Sequence, residues 1–132
     1  MSLQHVLLVD DEPDIRTLVT LILQRMGGMT VRAEASGQDA LDCLASGYRP
    51  DLILLDVMMP GMDGIETLAA IRSMRPVADL PICFFTAKVH PAELQQWRDL
   101  GVDAVLAKPF SPTELVGQLR EIWNRLASAD AA

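Results

Sequence analysis

Asp56 closes a short apolar run, Leu52 to Leu55, and opens the loop DVMMPGMDG that ends at Gly64. A carboxylate delivered at the end of such a run and just before a turn built on Pro60, Gly61, Asp63 and Gly64 is left open to solvent, where it can act as a nucleophile. Three other apolar runs end in reactive groups: Asp10 and Asp11 after the first, Thr86 after the fourth, and Lys108 after the fifth. Three carboxylates brought to one edge repel one another, and a hard divalent cation relieves that repulsion; Mg²⁺, six-coordinate and content with oxygen ligands and retained waters, fits the donor set. Lys108 adds a compact positive charge and Thr86 a hydroxyl donor, both suited to the equatorial oxygens of a transferring phosphoryl group, with Asp56 as the in-line nucleophile.

Each of these residues has a plain structural role when taken alone. The acids from Asp10 to Asp14 suit the positive end of a helix macrodipole, Lys108 can lay its stem on apolar surface, and Thr86 can cap a strand end. Their joint placement at strand ends is what favours chemistry. His5 and His90 have no such company and read as solvated or locally satisfied histidines, while Trp97 and Trp123 read as packing residues. Cys43 and Cys83 lack metal-ligand spacing and are expected as buried, reduced thiols.

The elements that must position these groups follow from the hydrophobic pattern. His5–Val9, Met29–Ala33, Leu52–Leu55, Pro81–Phe85 and Ala104–Ala107 are short apolar runs, too short for helices. Between them lie helical patterns. The first starts at Pro13 and carries Ile15, Leu18, Val19, Ile22, Leu23 and Met26 up to Gly27 and Gly28; the second has the cap pair Ser36 and Asp39 ahead of Ala40, Leu41 and Leu44. The third carries Ile65, Leu68 and Ile71 and is closed by Pro76; the fourth runs from Pro91 to Leu100 on Leu94, Trp97 and Leu100. The last opens on a capping box of Ser111, Pro112 and Glu114 and buries Leu115, Leu119, Ile122, Trp123 and Leu126, which leaves Ala127–Ala132 as a frayed tail. Strict strand–helix alternation specifies an α/β fold, a doubly wound five-stranded parallel sheet flanked by five helices. Periodicity does not give the order of its strands.

A chain of 132 residues, half of them apolar, makes one domain with a real core. Its formal charge of −7 argues against a non-specific nucleic-acid or anionic-membrane surface, which would need clustered Lys and Arg. No run approaches the roughly 20 apolar residues of a membrane span and no leader pattern is present, so a cytoplasmic protein is expected.

The acidic pair Asp10-Asp11, the Asp56 loop, Thr86-Ala87 and Lys108-Pro109-Phe110 occur in the order and spacing of a known family. The chain resembles a response-regulator receiver domain of two-component signalling, in the CheY-like superfamily, over essentially His5 to Leu126. That resemblance implies strand order 2-1-3-4-5, a receiver unit over residues 5–126, and phosphorylation of Asp56 by the phosphohistidine of a sensor histidine kinase or a histidine phosphotransfer protein. It also implies Mg²⁺ held by Asp11, Asp56 and the Met58 carbonyl, with Asp10 helping through water, and Lys108 and Thr86 on the phosphoryl. A cis Lys108–Pro109 bond would aim the ammonium into the site. Downstream, it implies an output protein or output domain engaged by the face of the fourth helix, fifth strand and fifth helix, with a phosphorylation-dependent dimer as one arrangement. Val105 stands where relatives often carry the aromatic residue that follows the threonine.

Three other classes compete. A Mg²⁺-dependent phosphohydrolase with an aspartate nucleophile resembles this chemistry, but haloacid-dehalogenase-type phosphatases want an aspartate two positions on, where Met58 stands. A flavodoxin-like cofactor binder would need a glycine- or hydroxyl-rich phosphate loop after the first strand, and DDEPD has the wrong charge. A receiver-fold scaffold that is never phosphorylated is disfavoured because every reactive group is present. The expected protein is thus a signalling phosphoacceptor rather than an enzyme acting on a separate substrate.

Overall fold

Leu52 to Leu55 and Ile82 to Phe85 have no polar position on either face, and that composition belongs in the middle of a sheet covered on both sides. In the computed structural model, which describes residues 2–87, 90–108 and 110–131, β1 (His5–Val9), β3 (Leu52–Asp56) and β4 (Ile82–Thr86) are the three inner strands. The half-exposed β2 (Thr30–Glu34) and β5 (Ala104–Ala107) form the edges. The order is β2-β1-β3-β4-β5 with every neighbouring pair parallel, the order the resemblance implied.

Alternation along the strands divides the core in two. Val6, Leu8, Leu52, Leu54, Cys83 and Phe85 face α1 (Pro13–Arg25) and α5 (Pro112–Ala131). Leu7, Val9, Ile53, Leu55, Ile82 and Phe84 face α2 (Gly37–Ala45), α3 (Gly64–Arg72) and α4 (Pro91–Asp99). Both cysteines are buried free thiols.

Several expectations are corrected. Leu18 and Met26 of the α1 stripe and Leu100 after α4 are exposed, because α1 rests on the core through Val19, Ile22 and Leu23, and α4 through Trp97. Trp97 packs edge-on against Phe84, ring centroids 5.3 Å apart. At the start of α5 it is the Ser111 carbonyl that accepts the Glu114 and Leu115 N–H groups, while its hydroxyl lies 3.0 Å from that of Thr113. A true capping box occurs instead on α3, where Asp63 accepts from the Glu66 N–H at 2.8 Å and Glu66 reaches back to the Asp63 N–H. α5 continues to Ala131, through the segment read as a tail from Ala127. The expected cis Lys108–Pro109 bond lies outside the described residues.

Candidate functional site

Parallel register alone brings the reactive residues together. Val9 pairs with Leu55, so Asp10, one residue beyond β1, lies beside Asp56. Asp56 pairs with Phe85, one residue before Thr86, and Thr86 pairs with Ala107, one residue before Lys108. The Lys108 N–H donates to the Thr86 carbonyl at 2.8 Å, which carries the ladder one step past β5 and fixes where the lysine leaves the sheet. All of the acids, Thr86 and Lys108 therefore sit at the carboxyl edge, where open α/β sheets place their ligands.

Asp56 is buried, not open to solvent as its position before a turn suggested, because neighbouring side chains at the sheet edge enclose it; its Oδ1 accepts from the Met58 N–H at 3.3 Å. Burial pushes its carboxyl up to about 6, and the nearby Asp10 charge and a hydrogen bond with Asp11 add to the rise; Lys108 and the Met58 N–H pull the other way without cancelling it. Asp10 is fully enclosed and every acceptor on it is engaged. Its Oδ1 takes the Glu12 N–H at 2.9 Å, its Oδ2 the Lys108 ammonium at 2.7 Å, and its carbonyl the Arg16 guanidinium at 2.8 Å. Lys108 is also 3.7 Å from Asp56 Oδ1 and 5.0 Å above the Phe85 ring, which supports its stem and adds a cation–π attraction. Phe110 packs on the other side of Phe85, centroids 5.5 Å apart.

Carboxylate oxygens of Asp10, Asp11 and Asp56 lie within 4.8 Å of one another. One ammonium among three acids leaves a net negative cluster of hard oxygens, two of the acids being buried, and that donor set suits a small divalent cation. Met58 touches the cluster through its backbone N–H on Asp56, and its side chain is 69% exposed. Thr86 is buried at the same edge. α3 closes the floor: its first residue, Gly64, donates its N–H to the Val57 carbonyl at 2.9 Å. A Cβ at Gly64 would run into the Asp56 carbonyl and stand 2.6 Å from the Val57 Cα, so the helix can approach the end of β3 only as glycine.

The structure thus brings together Asp10, Asp11, Asp56, Met58, Thr86 and Lys108. It leaves His5 and His90 exposed, and Cys83 in the core, where burial pushes its thiol up to about 12. Sequence reading missed Arg16. The available signal was an arginine in the first turn of a helix, where the macrodipole disfavours a cation. Among the described residues, no helix is long and apolar enough to cross a membrane.

Comparison with known proteins agrees with this geometry. The response regulator receiver domain family model matches residues 6–120. The chain is 36% identical to the phosphate regulon transcriptional regulatory protein PhoB of Pseudomonas aeruginosa, over 96% of this chain and 54% of that protein. It is 37% identical to the DNA-binding response regulator MtrA of Mycolicibacterium smegmatis, over 92% of this chain and 51% of that one. It spans about half the length of the curated relatives it matches. Among solved structures, a Vibrio cholerae chemotaxis response regulator superposes with a TM-score of 0.83 at 35% identity, covering 92% of this chain and 99% of the other.

Proposed function

We propose that this chain, which belongs to the response regulator receiver domain family, accepts a phosphoryl group on Asp56 and passes the signal on through a change in its surface. The observation that carries the reading is the Asp56 carboxylate at the end of the central strand, held 3.7 Å from the Lys108 ammonium and clustered with two further acids. The donor is a phosphohistidine of a sensor histidine kinase or a histidine phosphotransfer protein; its P–N bond breaks as the bond from an Asp56 carboxylate oxygen to phosphorus forms.

Asp11, Asp56 and the Met58 carbonyl would hold Mg²⁺, with Asp10 contributing through water. When bound, the ion offsets repulsion between the acids and the incoming phosphoryl oxygens. Asp56 must be ionised to attack; burial raises its carboxyl to about 6, which still leaves it ionised at neutral pH, and a bound cation would favour the ionised form further. Lys108 exchanges its 2.7 Å contact with Asp10 for the phosphoryl oxygens, and Thr86 supplies a hydroxyl from the neighbouring strand. Residues 5–126 form the receiver unit. The output is a separate protein or a domain joined to this one, met through the face of α4, β5 and α5, and the receiver itself touches no nucleic acid or membrane.

Intact-mass measurement after acetyl phosphate with Mg²⁺ is expected to show one added phosphoryl. Asp56→Asn and EDTA should each abolish it. Retention of the same acid- and base-labile phosphate in Asp56→Asn would overturn the assignment, and multiple turnover on a panel of phosphate esters would replace it with a phosphohydrolase.

A further inference from the structure

The first turn of α1 holds an arginine where a cation is disfavoured. Arg16 lies within the first four residues of the helix, and the unpaired N–H groups and dipole of a helix N-terminus repel positive charge. The stretch around it, Asp10, Asp11, Glu12 and Asp14, is otherwise acidic. The guanidinium nevertheless turns back over the helix start to donate from Nη1 to the Asp10 carbonyl at 2.8 Å, while the Arg16 backbone N–H donates to the Glu12 carbonyl at 3.0 Å. Among the described residues no carboxylate lies within ion-pairing distance of Arg16.

That single contact has a geometric consequence. The Asp10 carbonyl belongs to the peptide plane that joins Asp10 to Asp11, so holding it fixes the direction in which the chain delivers Asp11. Asp10 itself is already pinned from other sides, by its N–H on the Glu34 carbonyl at 3.1 Å and by the bonds to its two carboxylate oxygens from Glu12 and Lys108. Asp11 is half-buried, and beyond its side-chain contact with Asp56 it has no comparable set of bonds among the described residues. The direction from which it meets Asp56 follows from the peptide that precedes it.

We infer that Arg16 is a positioning residue for the cation site: by clamping the Asp10 carbonyl it aims the Asp11 carboxylate at Asp56. The inference rests on the reading of Asp10, Asp11 and Asp56 as a Mg²⁺ site. It has a signature opposite in sign to plain electrostatics, because a positive charge close to a cation site weakens cation binding. Removing that charge without any positioning loss would tighten Mg²⁺ binding; removing the clamp weakens it, and outer contacts that orient metal ligands are typically worth 10- to 100-fold in affinity.

The test is a titration with Mg²⁺ alone, followed by amide NMR shifts of Asp11 and Met58, on the wild type, Arg16→Met and Arg16→Lys, with thermal melts as a check on folding. Arg16→Met is expected to bind Mg²⁺ about tenfold more weakly at an unchanged fold, with Arg16→Lys recovering part of the loss through its own donor. Arg16→Ala, a good helix former, takes the place of Arg16→Met should the latter not fold. Equal or tighter Mg²⁺ binding in the folded Met or Ala variant overturns the inference, as does a fall in melting temperature with no change in affinity. If the wild type itself shows no saturable Mg²⁺ shifts at these amides, it is the reading of the site that fails.

Discussion

Asp56 is kept by its surroundings in a state that costs the fold something. Its carboxyl titrates at about 6 in the folded chain against 3.8 ordinarily, chiefly because burial disfavours the charged form. With the folded value above the unfolded one, the folded chain binds the proton more tightly between the two. The stability this contributes is therefore full below about pH 3.8 and is lost as pH rises through about 6. At pH 7.5 without divalent cations the ionised carboxylate is a net burden, of order 3 kcal/mol. Asp56→Asn in EDTA is accordingly expected to melt several degrees above wild type at pH 7.5, with the difference closing near pH 4 and narrowing when Mg²⁺ is added to the wild type. A melting temperature in EDTA at pH 7.5 no higher than wild type would show that Lys108 already neutralises the carboxylate. The identities of Asp10, Asp11, Asp56, Thr86 and Lys108 were legible because each ends an apolar run. The clamp from Arg16 was not, because it depends on a side chain folding back over a helix start.

Among the elements, the inner strands and the helix count could be read directly, since uninterrupted apolar runs and a 3.6-residue period are strong local signals. What periodicity could not say is how much of each stripe finds a partner. Leu18, Met26 and Leu100 fit their helical patterns yet stay exposed, for a stripe is buried only where a neighbour covers it. Contacts between distant elements were equally hidden. At the end of α3, Arg72 donates to the carbonyls of Ala78 (2.9 Å), Leu80 (2.7 Å) and Gly101 (2.7 and 3.1 Å) and to the Asp103 carboxylate (3.0 Å), which in turn takes the Ile82 N–H (2.9 Å). One guanidinium thus ties α3, the turn before β4 and the loop between α4 and β5. Arg72→Met keeps much of the stem but strands several acceptors, at a cost of about 2–3 kcal/mol. Chemical denaturation should show that loss, with faster amide exchange at Val102 and Asp103; a loss under 0.5 kcal/mol would mean that water replaces the guanidinium freely.

At the scale of the whole molecule, α4 is the helix least held. Trp97 is its buried residue, Leu94 is half-buried, and its far end is fixed through Gly101 by the Arg72 network. Elements with few buried apolar contacts are the ones that open and move at low cost. Beside it, Val105 leaves a groove of about 590 Å³ that Leu94, Arg98 and Ile122 also line. A small β-branched side chain there cannot sweep the volume a rotating aromatic ring would. Phosphorylation of Asp56, as proposed, would add roughly −1.5 to −2 charge there, which is expected to draw Lys108 away from Asp10 and the Thr86 hydroxyl toward the phosphoryl. On the proposed reading the strain is expected to pass from Thr86 and Ala87 toward α4, and the face of α4, β5 and α5 is expected to change shape for a partner or for a second copy of the chain. Coupling of about 1–3 kcal/mol is the usual scale for such linkage. Amide NMR with and without beryllofluoride and Mg²⁺ reads it directly: shifts are expected at Ala87 and from Pro91 to Leu100, and they should disappear from α4 in Thr86→Ala while those around Asp10, Asp56 and Lys108 persist. Shifts confined to those three loops in the wild type, with α4 silent, would place the readout elsewhere on the molecule.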